Sequence, residues 1–260
     1  MFRKVIVYMK EKTLKAAAAL AMLFVFTGLI VGAYFSGGGA LYTFAAKKRE
    51  VPVYRVDRDD GKAAISFDCA WGTDYTDKIL DILDFYKIKC TFFVVEFWAE
   101  KNADYLKKIS DRGHEIGTHS ATHPKMSALT EDGMIKELST SSAKITEITG
   151  KEVKLFRPPF GDYNDRLLSV AKKLGLTTVQ WSVDSLDWKD LSAEEIATRV
   201  IKKTGSGDVI LCHNNGAHTA ESLPLIFSEL LKRGITFVPI GELIYTDGYF
   251  IAPDGTQKKA

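Results

Sequence analysis

The chain has 260 residues, of which 46% are hydrophobic and 26% charged, and a formal net charge of +2. That length can bury one substantial core or two small ones, and the composition excludes a disordered or low-complexity chain. The near balance of charge excludes a broadly basic surface, so no nucleic-acid partner is expected.

Residues 1–15 form a short basic segment with Arg3, Lys4, Lys10, Lys12 and Lys15. AAAALAMLFVFTGLIVGAY follows, from Ala16 to Tyr34, without a single charge. About 19 residues suffice to cross a hydrocarbon core as a helix. Basic residues before the run and SGGGA after it point to a cytoplasmic N-terminus and an exported remainder. The expectation is a single-pass anchor in the cell membrane through residues 16–34. A cleaved signal peptide, whose apolar region usually spans about 7–15 residues, is the alternative and would leave a secreted domain.

Residues 35–60, with GGG and KKRE, read as a linker. From residue 61 a strand–helix alternation sets in and runs to about residue 246. AAISFDC is a short β-rich run, and TDKILDILDFY has apolar residues at helical spacing. CTFFVV reads as a strand, ADYLKKISDRG as a helix and HEIGT as a strand. EDGMIKELSTSSAKITEITG gathers Met134, Ile135, Leu138, Ile145 and Ile148 on one helical face and stops at Gly150. LFR, TTVQWSV, DVILCH and ITFVPI are further strands. They alternate with the helices DRLLSVAKKLG, SAEEIATRVIKK and SLPLIFSELLKRG, the second opened by a Ser192–Glu195 capping box. Residues 247–260 read as a polar tail without an assignable task. Three cysteines, Cys69, Cys90 and Cys212, are no disulfide scaffold.

Strict alternation requires a parallel sheet, because each crossover returns over a face. No glycine-rich phosphate turn follows the first strand, unlike a dinucleotide-binding sheet. The expected fold is α/β, a distorted parallel (β/α) barrel of about seven units preceded by an N-terminal transmembrane helix.

The unusual polar residues fall at one end of these strands: Asp68, His119, Arg157, Asp184 and His213. In a parallel barrel those positions share the rim where active sites are built. In HSATH, a helical turn would point His119 and His123 the same way, and two neutral imidazoles can bind one divalent metal, most naturally zinc. A catalytic zinc keeps about three protein ligands, and SFDCAWGTD offers Asp68, Cys69 and Asp74. Such a cation lowers the pKa of water toward about 7, and a nearby carboxylate can take its proton as it attacks a carbonyl. RPPFG would aim Arg157 and the Phe160 N–H into the mouth. DSLDW and LCH bring Asp187 and His213, an acid that fixes the tautomer of a candidate general acid.

Together these segments resemble the polysaccharide deacetylases, the NodB-homology fold of carbohydrate esterase family 4, over roughly residues 63–244. SFDCAWG, HSATH, RPPFG, DSLDW and LCH appear in that family's order, and FDCAWG is similar to its sporulation-associated branch. The resemblance implies metal-dependent removal of N-acetyl groups from peptidoglycan or chitin-like sugars. It implies Asp68 as general base, His119 and His123 as metal ligands, and Arg157 holding Asp68. It further implies the Phe160 amide at the oxyanion, Asp187 tuning the acid His213, and Trp188 and Leu211 lining the acetyl pocket. The metal is expected to be zinc, with cobalt or another divalent ion as alternatives. One departure stands out, since the family places a second acid, a metal ligand, where this chain has Cys69. Either Cys69 or Asp74 is left as third donor, or water fills the gap and binding weakens; the alternative for the whole chain is a catalytically degenerate glycan-binding relative.

Overall fold

A computed structural model describes residues 17, 18, 20–27 and 49–260. Two units separate, Met1–Lys48 and Arg49–Ala260. In the first, residues 17, 18 and 20–27 are helical and expose their side chains. The remainder of the expected 16–34 anchor lies outside the described residues. Among the described residues no helix is long and apolar enough to cross a membrane.

In the second unit the strands are β1 (Arg55–Val56), β2 (Lys62–Cys69), β3 (Thr91–Val94), β4 (Glu115–Thr118), β5 (Leu155–Phe156), β6 (Thr177–Thr178), β7 (Val183–Asp184), β8 (Val209–His213), β9 (Thr236–Phe237), β10 (Tyr249–Ile251) and β11 (Thr256–Lys259). The main sheet has the order β6-β5-β4-β3-β2-β8-β7, with β9 paired to the start of β2. Every pairing in it is parallel. β6 and β7 lie at opposite ends of this ladder, yet they are consecutive halves of the TTVQWSV run. One half pairs with β5 and the other with β8. The ladder therefore curls back on itself as a distorted (β/α) barrel.

Helices cover its outside: α1 (Thr76–Phe85), α2 (Glu96–Lys101), α3 (Ala103–Asp111), α4 (Glu131–Thr149), α5 (Asp165–Lys173), α6 (Ala193–Lys203), α7 (Thr219–Lys232) and α8 (Ile240–Leu243). The expected caps are present. Gly150 ends α4 at φ 70°, and Ser192 and Glu195 form a reciprocal capping box on α6. Strand alternation decides which residues meet the helices. In β2, Ile65, Phe67 and Cys69 face the outer core with Leu80, Ile226 and Phe227, whereas Ala64 joins Phe93, Leu155, Val179 and Val209 in a second, inner cluster. Each of the valine, leucine, isoleucine and phenylalanine side chains among them contributes about 1.5–3 kcal/mol when fully buried. Ile240 and Leu243 of α8 belong to the inner cluster, and the Ile240 N–H donates to Thr91 Oγ1 at the first residue of β3. α8 therefore closes the barrel at the strand starts and leaves the other end open.

Two segments differ from expectation. Residues 247–260 are no free tail: β10 and β11 form an antiparallel hairpin, and β11 pairs in parallel with β1. The hairpin is pinned by Gln257, whose side chain accepts from the Tyr245 N–H and donates to the Tyr245 carbonyl, both at 2.8 Å. The end of the expected linker is also built in, since Val53 and Val56 are fully buried. The Val53 N–H donates to the Thr178 carbonyl and its own carbonyl accepts from Gln180 N–H. Val56 packs so closely on Gly207 (φ 82°) that a Cβ there would collide with the Val56 carbonyl oxygen. Gly207→Ala is accordingly expected to destabilise this unit by about 2–4 kcal/mol through left-handed strain and collision together, read as a lower urea midpoint.

Candidate active site

The parallel register puts Asp68 of β2 directly beside His213 of β8. Paired residues on adjacent strands present their side chains to the same face, here the barrel interior. His119 follows β4, Arg157 follows β5 and Asp187 follows β7, so all five gather at the open, C-terminal end.

Asp68 is held by a buried cation. The Arg157 guanidinium is fully buried and donates from Nη1 to Asp68 Oδ1 and Ser66 Oγ, both at 2.8 Å, and from Nη2 to the Gln180 carbonyl at 3.1 Å. Its guanidinium carbon lies 4.1 Å from the centre of the Phe93 ring. Phe93 in turn has room only because Gly117 lacks a side chain, since a Cβ there would stand 2.6 Å from that ring. Burial raises the pKa of Asp68, but Arg157, followed by His119 and His213, outweighs it and holds the carboxyl below its usual value. Asp68 is thus ionised at neutral pH.

The HSATH loop does not continue as a helical turn. Ser120 (φ 73°) and His123 (φ 59°) are left-handed, and these reversals bring the rings of His119 and His123 to 4.9 Å. The loop is tied down by Glu137 of α4, which accepts from the N–H groups of Ala121 and Thr122 and from Thr122 Oγ1 at 2.7–2.8 Å. Ser120 Oγ accepts from His123 N–H at 3.0 Å. His119 donates its Nδ1 proton to the Arg157 carbonyl at 2.7 Å, leaving Nε2 with a free lone pair 3.5 Å from Asp68 Oδ2. Burial lowers the pKa of His119 and takes His123 down to about 4, so both rings are neutral. Two neutral imidazoles, one with its tautomer fixed by the Arg157 carbonyl, beside an ionised carboxylate, are donor chemistry that fits a divalent cation such as zinc.

The two candidate third donors, Cys69 and Asp74, lie in different settings. Cys69 lies in the outer core, because strand alternation turns it away from the face that carries Asp68, and its Sγ lies 3.9 Å from the Phe67 carbonyl. Burial raises its thiol pKa well above normal, which disfavours the thiolate. Asp74 is exposed in the following loop, beside Gly72 and Asn215. Among the described residues no three His, Cys, Asp or Glu side chains gather as a metal cluster. His114, at the start of β4, lies at the opposite end of that strand from His119 and is buried against Cys90.

His213 has its own carboxylate. Asp187 Oδ1 accepts from His213 Nδ1 at 2.7 Å, while Oδ2 accepts from the His213 N–H at 2.7 Å and from Thr219 Oγ1 at 2.6 Å. Desolvation lowers the pKa of His213, but the Asp187 hydrogen bond and charge more than reverse it, so the ring is raised above its ordinary value. Leu211, two residues earlier on the same strand face, is buried beside Ser66. Phe160 adopts φ 59° in the RPPFG turn and sets its ring 4.5 Å from His123. Trp188 stands at the rim with more than half its surface exposed and Lys189 Nζ 4.9 Å over its ring.

Several site residues escaped the sequence reading. Ser66 and Gln180 complete the Arg157 cage, Thr219 completes the Asp187 set, and Glu137 anchors the histidine loop. Ser66 was within reach, since period two puts it on the Asp68 face. Glu137 sits on an ordinary helix with no local signal.

A parallel barrel with a buried carboxylate–guanidinium pair, two neutral imidazoles and an acid-backed histidine on one rim defines a hydrolase-type site on a (β/α) scaffold. Residues 55–179 match the polysaccharide deacetylase family. The chain is 35% identical to a peptidoglycan-N-acetylglucosamine deacetylase of Bacillus cereus over 74% of this chain and 92% of that protein. It is 34% identical to the uncharacterized protein YlxY of Bacillus subtilis over 74% of this chain, and spans 60% of the length of that relative. Among solved structures, BA3943, a CE4 family pseudoenzyme from Bacillus anthracis, superposes with a TM-score of 0.72 at 30% identity, over 81% of this chain and 70% of that one. This chain belongs to the polysaccharide deacetylase family, carbohydrate esterase family 4.

Proposed function

We propose that the chain is a metal-dependent de-N-acetylase of cell-wall glycan, with N-acetylated peptidoglycan as its substrate class. The observation that carries this reading is the opposition of two differently tuned groups on paired strands. Asp68 is held ionised by Arg157, and His213 is held protonatable by Asp187. Arg157 occupies Asp68 Oδ1, which leaves Oδ2 to accept the proton of an attacking water. His213 uses Nδ1 on Asp187 and turns Nε2 toward substrate, where it donates a proton to the departing amine. The Phe160 N–H serves as oxyanion donor, while Leu211 and Trp188 form walls of the acetyl pocket. A divalent cation, most naturally zinc, would be held by His119 Nε2 and His123 and would supply Lewis-acid polarisation of water and carbonyl. Residues 16–34 would anchor this domain outside the cytoplasm.

The test is acetate release from N-acetylglucosamine oligomers and from peptidoglycan, with chelator and then with added Zn²⁺ or Co²⁺. Release that is lost with chelator and regained with metal supports the reading. Cys69→Ala is expected to retain wild-type metal occupancy, measured by atomic absorption on purified protein, because its side chain is turned into the outer core; Asp74→Ala is measured beside it. Loss of metal in either variant would restore that residue as a ligand.

A second reading has one specific observation behind it. The position where the family carries a second acid is Cys69, turned into the core, and the pseudoenzyme BA3943 is similar to this chain. A glycan-binding domain without turnover would bind oligomers and release no acetate under any metal.

A further inference from the structure

Four tryptophans lie in this chain, and they divide by environment. Trp98 is buried and Trp181 partly so, near Arg157. Trp188 and Trp71 are each 57% exposed. Trp188 already has the Lys189 ammonium over its ring. Trp71 has a different setting. It follows β2 by two residues and meets the His123 ring edge-on at 5.1 Å, while Phe160, 65% exposed, meets the same imidazole at 4.5 Å. Both aromatics thus pack edge-on with His123 at the mouth.

The loop that presents Trp71 is fixed in place. The Gly72 carbonyl accepts from Trp98 Nε1 at 2.8 Å and from Asn214 Nδ2 at 2.9 Å, and the Asn214 N–H donates to the Asp68 carbonyl at 3.2 Å. Gly72 makes the turn at φ 61°, open to glycine without strain. An indole held this firmly while exposing more than half its surface forgoes burial that it could have had in the core. Rigid, exposed aromatics beside a polar site offer an apolar face to a ligand that has one. A pyranose has such a face in its axial C–H groups and carries its hydroxyls around the edge.

We propose that Trp71 is a stacking platform for the pyranose adjacent to the sugar that is deacetylated, with the exposed Phe160 ring, packed on the same imidazole, as a second apolar contact. Such a platform would make affinity depend on oligomer length, because it adds a contact for a second sugar beside the one at Asp68 and His213. This inference rests on the glycan-deacetylase reading, but its readout needs neither metal nor turnover.

The test uses the whole protein, ¹⁵N-labelled and kept metal-free with chelator, and the N-acetylglucosamine hexamer as probe. The indole cross-peak of Trp71 is identified by its absence in Trp71→Phe. It is expected to shift on addition of the hexamer and to move far less with the monosaccharide. Calorimetry should give a Kd about tenfold weaker for Trp71→Ala, with Trp71→Phe recovering most of the loss. Both variants should keep the wild-type melting temperature, which separates a lost contact from a lost fold. A Trp71 peak that stays put while the hexamer binds, equal affinity in Trp71→Ala, or no hexamer binding by the wild type would each overturn the proposal. If the hexamer binds through Trp71 but no acetate is released under any metal, the platform stands and the catalytic reading falls.

Discussion

Asp68→Asn is expected to cut kcat for acetate release by about 10²–10⁴-fold, the usual worth of a positioned general base. It should also cost about 3–5 kcal/mol of stability, because the fully buried Arg157 guanidinium then faces an amide where it had a carboxylate. Asparagine retains the shape and one acceptor, so Ser66 and the Gln180 carbonyl still hold the arginine in place. Steady-state acetate release and urea denaturation measure the two effects separately. Undiminished turnover would remove Asp68 from the base role, and unchanged stability would mean that Arg157 finds charge compensation elsewhere. The pH dependence has a definite sign. The folded pKa of Asp68 is lowered, so its contribution to stability is complete above about pH 4, the unfolded value, and fades as pH falls through the folded one.

Asp187→Asn should act on the other limb of the pH profile. With the carboxylate present, His213 is raised above its ordinary pKa and remains protonated further into the alkaline range. Without it, the desolvation of His213 is opposed only by the weaker fields of Asp68 and Asp184, the ring pKa falls, and the acid form disappears at lower pH. The alkaline limb of kcat/KM should therefore move toward acid, and activity at pH 8 should drop by about 10²-fold or more. An unmoved alkaline limb in Asp187→Asn would assign the acid to another group. Linkage has the matching sign: the raised pKa of His213 stabilises the fold fully below about pH 6.5 and ceases to do so as pH rises through the folded value.

Much of this architecture was legible from periodicity. The alternation of short β-rich runs with helical repeats yields the parallel sheet, and the sheet alone decides that Asp68, His119, Arg157 and His213 meet at one end. What was not legible falls into three physical kinds. β1, β10 and β11 are two to four residues long, and polar residues such as Gln257 are buried there through hydrogen bonds that no hydrophobic pattern announces. The HSATH loop uses left-handed backbone at Ser120 and His123, non-glycine residues that give no warning of it, so a helical turn was the natural expectation. Cys69 could have been placed by strict alternation, because β2 keeps its two-residue period through its last position. The chemistry of the family motif pulled the expectation the other way.

Gln180 lends its carbonyl to Arg157 at the point where the TTVQWSV run changes partners from β5 to β8. The N–H of that same residue is fastened to Val53, just inside the start of the folded unit. Asp68 is thereby tethered, through three hydrogen bonds in succession, to Val53 near the start of the second unit. Where an expression boundary is drawn is consequently a choice about the electrostatics of Asp68. A domain trimmed past Val53 would unlatch the strand that steadies the arginine, even with every motif residue still in place.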